Sequence, residues 1–167
     1  MNSNANSVLA TQVMASLLRL RRSFAVSRDA TVFSQTRRIV FEKSLTTPEV
    51  ERRLRDFIRS VGKALSHNEI ILGHIKVLAK LPEPAAEHFL VLSLTRLDRV
   101  DVTPSDCWRN RDGVILDSLE LYVNVLVFEH TLSAVKKVVN DALKDLGGSV
   151  SRMPGRSSQK RGVVNIL

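Results

Sequence analysis

Residues 119–129 read LELYVNVLVFE, and two other stretches alternate in the same way: 70–80, IILGHIKVLAK, and 89–102, FLVLSLTRLDRVDV. Side chains in a strand point to opposite faces in turn, so each stretch divides into two sets. In the first stretch Leu119, Leu121, Val123, Val125 and Val127 oppose Tyr122, Asn124, Leu126 and Phe128. In the second, Ile71, Gly73, Ile75, Val77 and Ala79 oppose Leu72, His74, Lys76 and Lys80. In the third, Phe89, Val91, Ser93, Thr95 and Leu97 oppose Leu90, Leu92 and Leu94. The β-branched content supports strands in the first two stretches. Pro82 and Pro84 separate two of the strands as a loop.

A helix precedes these strands. Thr46 and Glu49 have capping-box spacing, and Pro48 suits the first turn, where its missing N–H costs nothing. Val50, Leu54, Phe57, Ile58, Val61 and Leu65 then make one apolar stripe, with Arg52, Arg53, Arg55 and Arg59 mostly off it. A second helix follows, with Thr131 as N-cap and Gly147–Gly148 as the stop. Its buried stripe is Leu132, Val135, Val138, Val139, Ala142, Leu143 and Leu146. Arg37–Glu42 reads as a short additional strand.

These elements predict an α+β fold. It has a small antiparallel sheet of three to four strands, two helices on one face, and a core order of α-β-β-β-α. The second face of that sheet is expected to carry Leu72, Leu90, Leu92, Leu94, Leu126 and Phe128. Two helices cover one face only, so an apolar second face asks for a cover: an N-terminal helix, a second copy, or another partner. Leu90, Leu92, Leu94 and Phe128 are therefore the expected partner contacts. Trp108, Arg109 and Arg111 join them, since they sit in the long connection Thr103–Ser118 and have a recognition-prone composition.

The chain has 167 residues, the length of one domain. With 44% hydrophobic and 25% charged residues, global disorder is excluded as an expectation. One cysteine, Cys107, rules out an internal disulfide framework and any metal cage of two or more thiolates. No apolar run reaches the roughly 18–20 residues of a membrane-spanning helix. The expected protein is soluble and intracellular.

The formal charge is +8, and it is unevenly placed. Residues 1–43 hold seven Arg/Lys against two acids, and residues 149–167 hold four against none. The middle, 44–148, is close to balance. This divides the chain into a basic N-terminal arm (1–43), a single α+β domain (44–148) and a basic tail without periodicity (149–167), expected to be disordered. The arms supply the expected polyanion contacts: Arg19, Arg21, Arg22, Arg37, Arg38, Arg152, Arg156, Lys160 and Arg161. Leu9, Val13, Leu17 and Leu20 recur at helical spacing in an Arg-rich, Ser-rich, acid-poor segment. That composition suits a mitochondrial targeting segment in a eukaryote, and a cytoplasmic location otherwise.

Candidates for chemistry are sparse. His67, His74, His88 and His130 form no metal-binding spacing, and Cys107 has no second thiolate. Asp98, Asp101, Asp106, Asp112 and Asp117 do not match a calcium loop. No Gly-rich phosphate loop or nucleophile elbow is present. No cofactor is expected. The function expected first is a non-catalytic interaction protein that docks on itself or on a larger complex through an apolar sheet face. The alternatives are an RNA- or ribosome-associated factor, and a small enzyme with a site near His74 and the 103–118 loop.

Overall fold

The computed structural model describes residues 29–152, apart from residues 83, 86, 111 and 112. Six strands and three helices follow one another along the chain. They are β1 (Thr31–Thr46), α1 (Thr47–Ala64), β2 (Gly73–Lys80), β3 (Phe89–Arg96), β4 (Arg99–Pro104), α2 (Asp106–Arg109), β5 (Ile115–Val127), α3 (Leu132–Lys144) and β6 (Gly148–Arg152). All six strands join one sheet in the order β4-β3-β2-β5-β1-β6, and every neighbouring pair is antiparallel.

Local chemistry sets the helices. At the start of α1 the Glu49 carboxylate accepts from both the backbone N–H and the hydroxyl of Thr46, each at 2.8 Å. This bond holds the Glu49 carboxyl below its usual pKa. At the start of α3 the Thr131 hydroxyl accepts from the Ala134 N–H at 3.2 Å. Both helices lie on one side of the sheet, α1 over β3 and β2, and α3 over β1 and β6, and they touch each other. Beneath them Ile39, Ile75, Val77, Leu121 and Val123 are fully buried.

The sheet differs from the sequence expectation in extent. The expected three to four strands in the order α-β-β-β-α are overturned: the sheet has six, ordered β-α-β-β-β-α-β-α-β. Three causes account for this. First, 89–102 is not one strand but the hairpin β3–β4. It turns at Leu97–Asp98, where the Arg96 guanidinium clamps the Asp98 carboxylate at 2.7 and 3.1 Å. Second, the expected short strand at 37–42 is the middle of the 16-residue β1. That strand pairs with β5 from Thr31↔Val127 onward and bulges between Val40 and Leu45. Third, the chain after α3 returns as β6, pairing Arg37–Phe41 with Gly148–Arg152. The divisions drawn at 43/44 and 148/149 thus run through β1 and β6. The expected helix at 8–20 lies outside the described residues.

The facing of β3 also needs correction. Leu90, Leu92 and Leu94 were expected on the second face, but each is 0% exposed. Register decides it: Leu94 pairs with Ile75, Leu92 with Val77 and Leu90 with Ala79. Directly paired residues point the same way, so the leucines lie on the helix side with the core. Gly62 of α1 shows how closely the helix lies on them, because a Cβ there would stand 2.3 Å from Leu94 Cδ2.

Candidate functional site

The side of the sheet away from the helices is built by the opposite set of each strand. Its residues follow from the pairings. One row runs Val32, Leu126 and His74; the next runs Ser34, Asn124, Lys76, Ser93 and Asp101. A third holds Thr36, Tyr122, Leu78, Val91 and Thr103, and a fourth Arg38, Glu120, Lys80 and Phe89. Leu78, Val91, Tyr122 and Leu126 are half-exposed, and Val32 and Phe89 are exposed. The face is therefore neither apolar throughout nor a simple polar surface.

A compact polar cluster sits on this face. Glu120 stands opposite Lys80 on β2, and their side chains meet at 3.2 Å between Nζ and Oε2. Tyr122, two residues further along β5, donates its hydroxyl to the same Glu120 oxygen at 3.2 Å. The Lys80 ammonium also lies 5.5 Å from the Tyr122 ring centroid, within cation–π range. Glu120 is only 8% exposed, so a carboxylate there needs these partners. The hydrogen bond to Glu120 holds the Lys80 pKa above the usual lysine value.

Charges on the face are unequal. The two acids of these four rows, Glu120 and Asp101, are both held by neighbours, Lys80 at 3.2 Å and Arg99 at 2.7 Å. Arg38 and Lys76 are exposed, and neither makes an ion pair among the described residues. β6 runs antiparallel to β1, so the chain enters β1 and leaves β6 toward the same end of the sheet.

The other expected residues separate. Trp108 is packed at 4% exposure on α2, where the Ser105 hydroxyl accepts its backbone N–H at 3.1 Å. It lines a cleft of about 430 Å³ with Pro48, Arg52, Arg55 and Arg109. Two of those arginines already face acids: Arg55 meets Glu51 at 2.6 Å, and Arg109 meets Asp106 at 3.9 Å. Phe128 is 37% exposed just beyond β5, unlike the buried leucines of β3. Arg37 is half-buried on the helix side, one residue out of step with Arg38, and donates to the Thr36 carbonyl at 3.0 Å. Arg152 ends β6. Arg19, Arg21, Arg22, Arg111, Asp112, Arg156, Lys160 and Arg161 lie outside the described residues.

His74 and Cys107 do not share a site. His74 is in the row of Leu126, whereas α2 follows Pro104, which pairs with Leu90 in the row of Ala79. Five residues of strand separate the rows, about 16 Å at ~3.3 Å each. Asp98 and Asp101 bond to Arg96 and Arg99, and Asp117 accepts from the Ser44 hydroxyl at 2.5 Å. His88 and His130 donate ring N–H groups to the carbonyls of Ala85 and Leu65. Among the described residues no group of three or more His, Cys, Asp or Glu could hold a metal ion.

Sequence reasoning missed Arg38, Lys76, Lys80, Glu120 and Tyr122 as one surface. The available signal was the polar set of each strand, which becomes a surface only once the strands are ordered.

Fold and surface together define an α+β protein with helices on one side of a six-stranded antiparallel sheet and a mixed second side, the open side, that no helix among the described residues covers. Comparison with protein-family models, curated proteins and solved structures finds no match to the chain. No helix among the described residues is long and apolar enough to cross a membrane.

Proposed function

We propose that this protein is a non-catalytic interaction module that docks on a larger partner through the open side of its sheet. The basic flanking segments add electrostatic contact. The observation that carries this reading is the composition of that side. Half-exposed Leu78, Val91, Tyr122 and Leu126 lie beside Arg38 and Lys76, neither of which makes an ion pair among the described residues. An antiparallel sheet with one solvated face ordinarily alternates cleanly to polar residues, and this one does not.

Self-docking through the same surface is disfavoured by its charges. Two sheets laid face to face would bury Arg38 and Lys76 from both copies, and unpaired buried cations are costly. An enzyme built around His74 and the 103–118 loop draws no support from groups about 16 Å apart along the strands.

The test is a footprint. In the Cys107→Ser background, Ser34→Cys places one thiol on the open side, since Ser34 is exposed there. Its alkylation rate is measured for the purified full chain and for the same chain in extract of the cells that make it. Docking slows the reaction in extract. Equal rates in both settings would sink the proposal.

A further inference from the structure

We infer that the open side of the sheet holds single-stranded nucleic acid by its phosphodiester backbone. This inference rests on the proposed docking role of that side and adds the chemistry of the partner. Charge complementarity is the first ground. Glu120 and Asp101 are already held within the face by Lys80 and Arg99, so an approaching ligand meets Arg38 and Lys76 as exposed cations without an ion pair among the described residues. Both chain segments flanking the sheet are basic, and both connect toward one end of it.

Placement is the second ground. Arg38 lies in the row of the paired Lys80 and Glu120, two strands from β2, about 9.6 Å at ~4.8 Å per strand. Lys76 lies four residues back along β2 from Lys80, about 13 Å at ~3.3 Å per residue. Tyr122 occupies the row midway between them, half-exposed, on the intervening strand. Phe89 is exposed at the end of the Lys80 row. Exposed cations on a face that also carries an exposed ring, here Arg38 and Lys76 with Phe89, are the elements that hold single strands, with phosphates on the charges and bases stacked on the ring. A sheet face with exposed aromatic and cationic side chains suits unstacked bases, which only a single strand presents.

Binding of labelled oligouridine and oligothymidine, each of about 20 nucleotides, to the full chain is followed by fluorescence anisotropy over about 50–200 mM salt. Both single strands should bind, a duplex of equal length should bind more weakly, and affinity should fall steeply with salt. Removing two phosphate contacts with Arg38→Gln/Lys76→Gln should lower the log–log salt slope by about 1.4. The deficit of that variant should therefore shrink by about sevenfold across the range. If the double variant loses its thermal transition, Lys76→Gln alone carries the test, with a slope change of about 0.7.

Absence of binding overturns the inference. So does a double variant with the wild-type slope, which assigns the binding to the flanking segments. The Ser34→Cys footprint separates the two levels. Protection in extract that vanishes after treatment with a non-specific nuclease supports the inference. Protection that survives nuclease assigns the surface to a protein, leaving the docking role intact and the nucleic acid refuted. With no protection in either case, the docking role itself fails.

Discussion

Truncating Leu92 and Leu78 to alanine, one at a time, separates the two faces of the sheet by energy. Leu92 on β3 is 0% exposed, paired with Val77 under α1. Leu78 on β2 is half-exposed on the open side, paired with Val91. Leu92→Ala removes three carbons from a closed environment, and at ~0.8 kcal/mol per buried carbon the transfer loss is about 2.4 kcal/mol. The cavity left behind raises this to about 3–4 kcal/mol, because packed surroundings relax only in part. Leu78→Ala opens no cavity and gives up only partial burial, so about 1 kcal/mol is expected. Urea unfolding followed by circular dichroism measures both, with unchanged slopes confirming that stability alone has moved. A cost for Leu92→Ala below about 1 kcal/mol would mean that the leucine triplet faces solvent or a partner after all. Equal costs at the two positions would be just as damaging to the assignment of faces.

Three further outcomes follow from single sites. Gly73 has φ +141°, and a Cβ there would stand 2.0 Å from the Leu126 carbonyl oxygen. Gly73→Ala should therefore cost more than about 2 kcal/mol in the same assay, and a neutral result would contradict the close β2–β5 approach. Thr131→Ala removes the hydroxyl that caps α3 and should cost about 1 kcal/mol, with Thr131→Asn or Thr131→Ser retaining most of the stability. Lys137 and Lys144 both bond to the Asp141 carboxylate, at 2.7 and 2.8 Å, and lower its pKa to about 2. A carboxyl depressed in the folded state favours folding above its unfolded pKa, and that contribution disappears as pH falls through about 2. An NMR titration of Asp141 should show that low midpoint, moving up toward the ordinary 3.8 in Lys137→Met/Lys144→Met. A wild-type midpoint already at 3.8 refutes the paired geometry.

The two long helices were legible because short-range chemistry decides them, whereas the extent and order of the sheet were not. The Thr46–Glu49 capping box and the apolar stripe from Val50 to Leu65 specify α1 from adjacent residues, and the helix runs from Thr47 to Ala64. The same holds for Thr131 and α3. Alternation in 119–127 correctly separates the buried set of β5 from Tyr122, Asn124 and Leu126. The site was far less legible. Arg37 and Arg38 look interchangeable in a basic arm, yet one lies on the helix side and the other on the open side.

What the sequence by itself determined is therefore the content of each local element: two capped amphipathic helices, several strands with two-sided patterns, and basic flanks. What only the tertiary structure decided is how those two-sided patterns are matched. Alternation says that Leu90, Leu92 and Leu94 point together, but not toward what. That depends on pairing with Ile75, Val77 and Ala79 on another strand, and a shift of one residue would send all three to the opposite face. The same long-range pairing draws Gly148–Arg152 into the sheet as β6 and sets Glu120 between Arg38 and Lys80. Hydrogen-bonded register between distant segments is a property of the assembled sheet, and no local window of residues contains it.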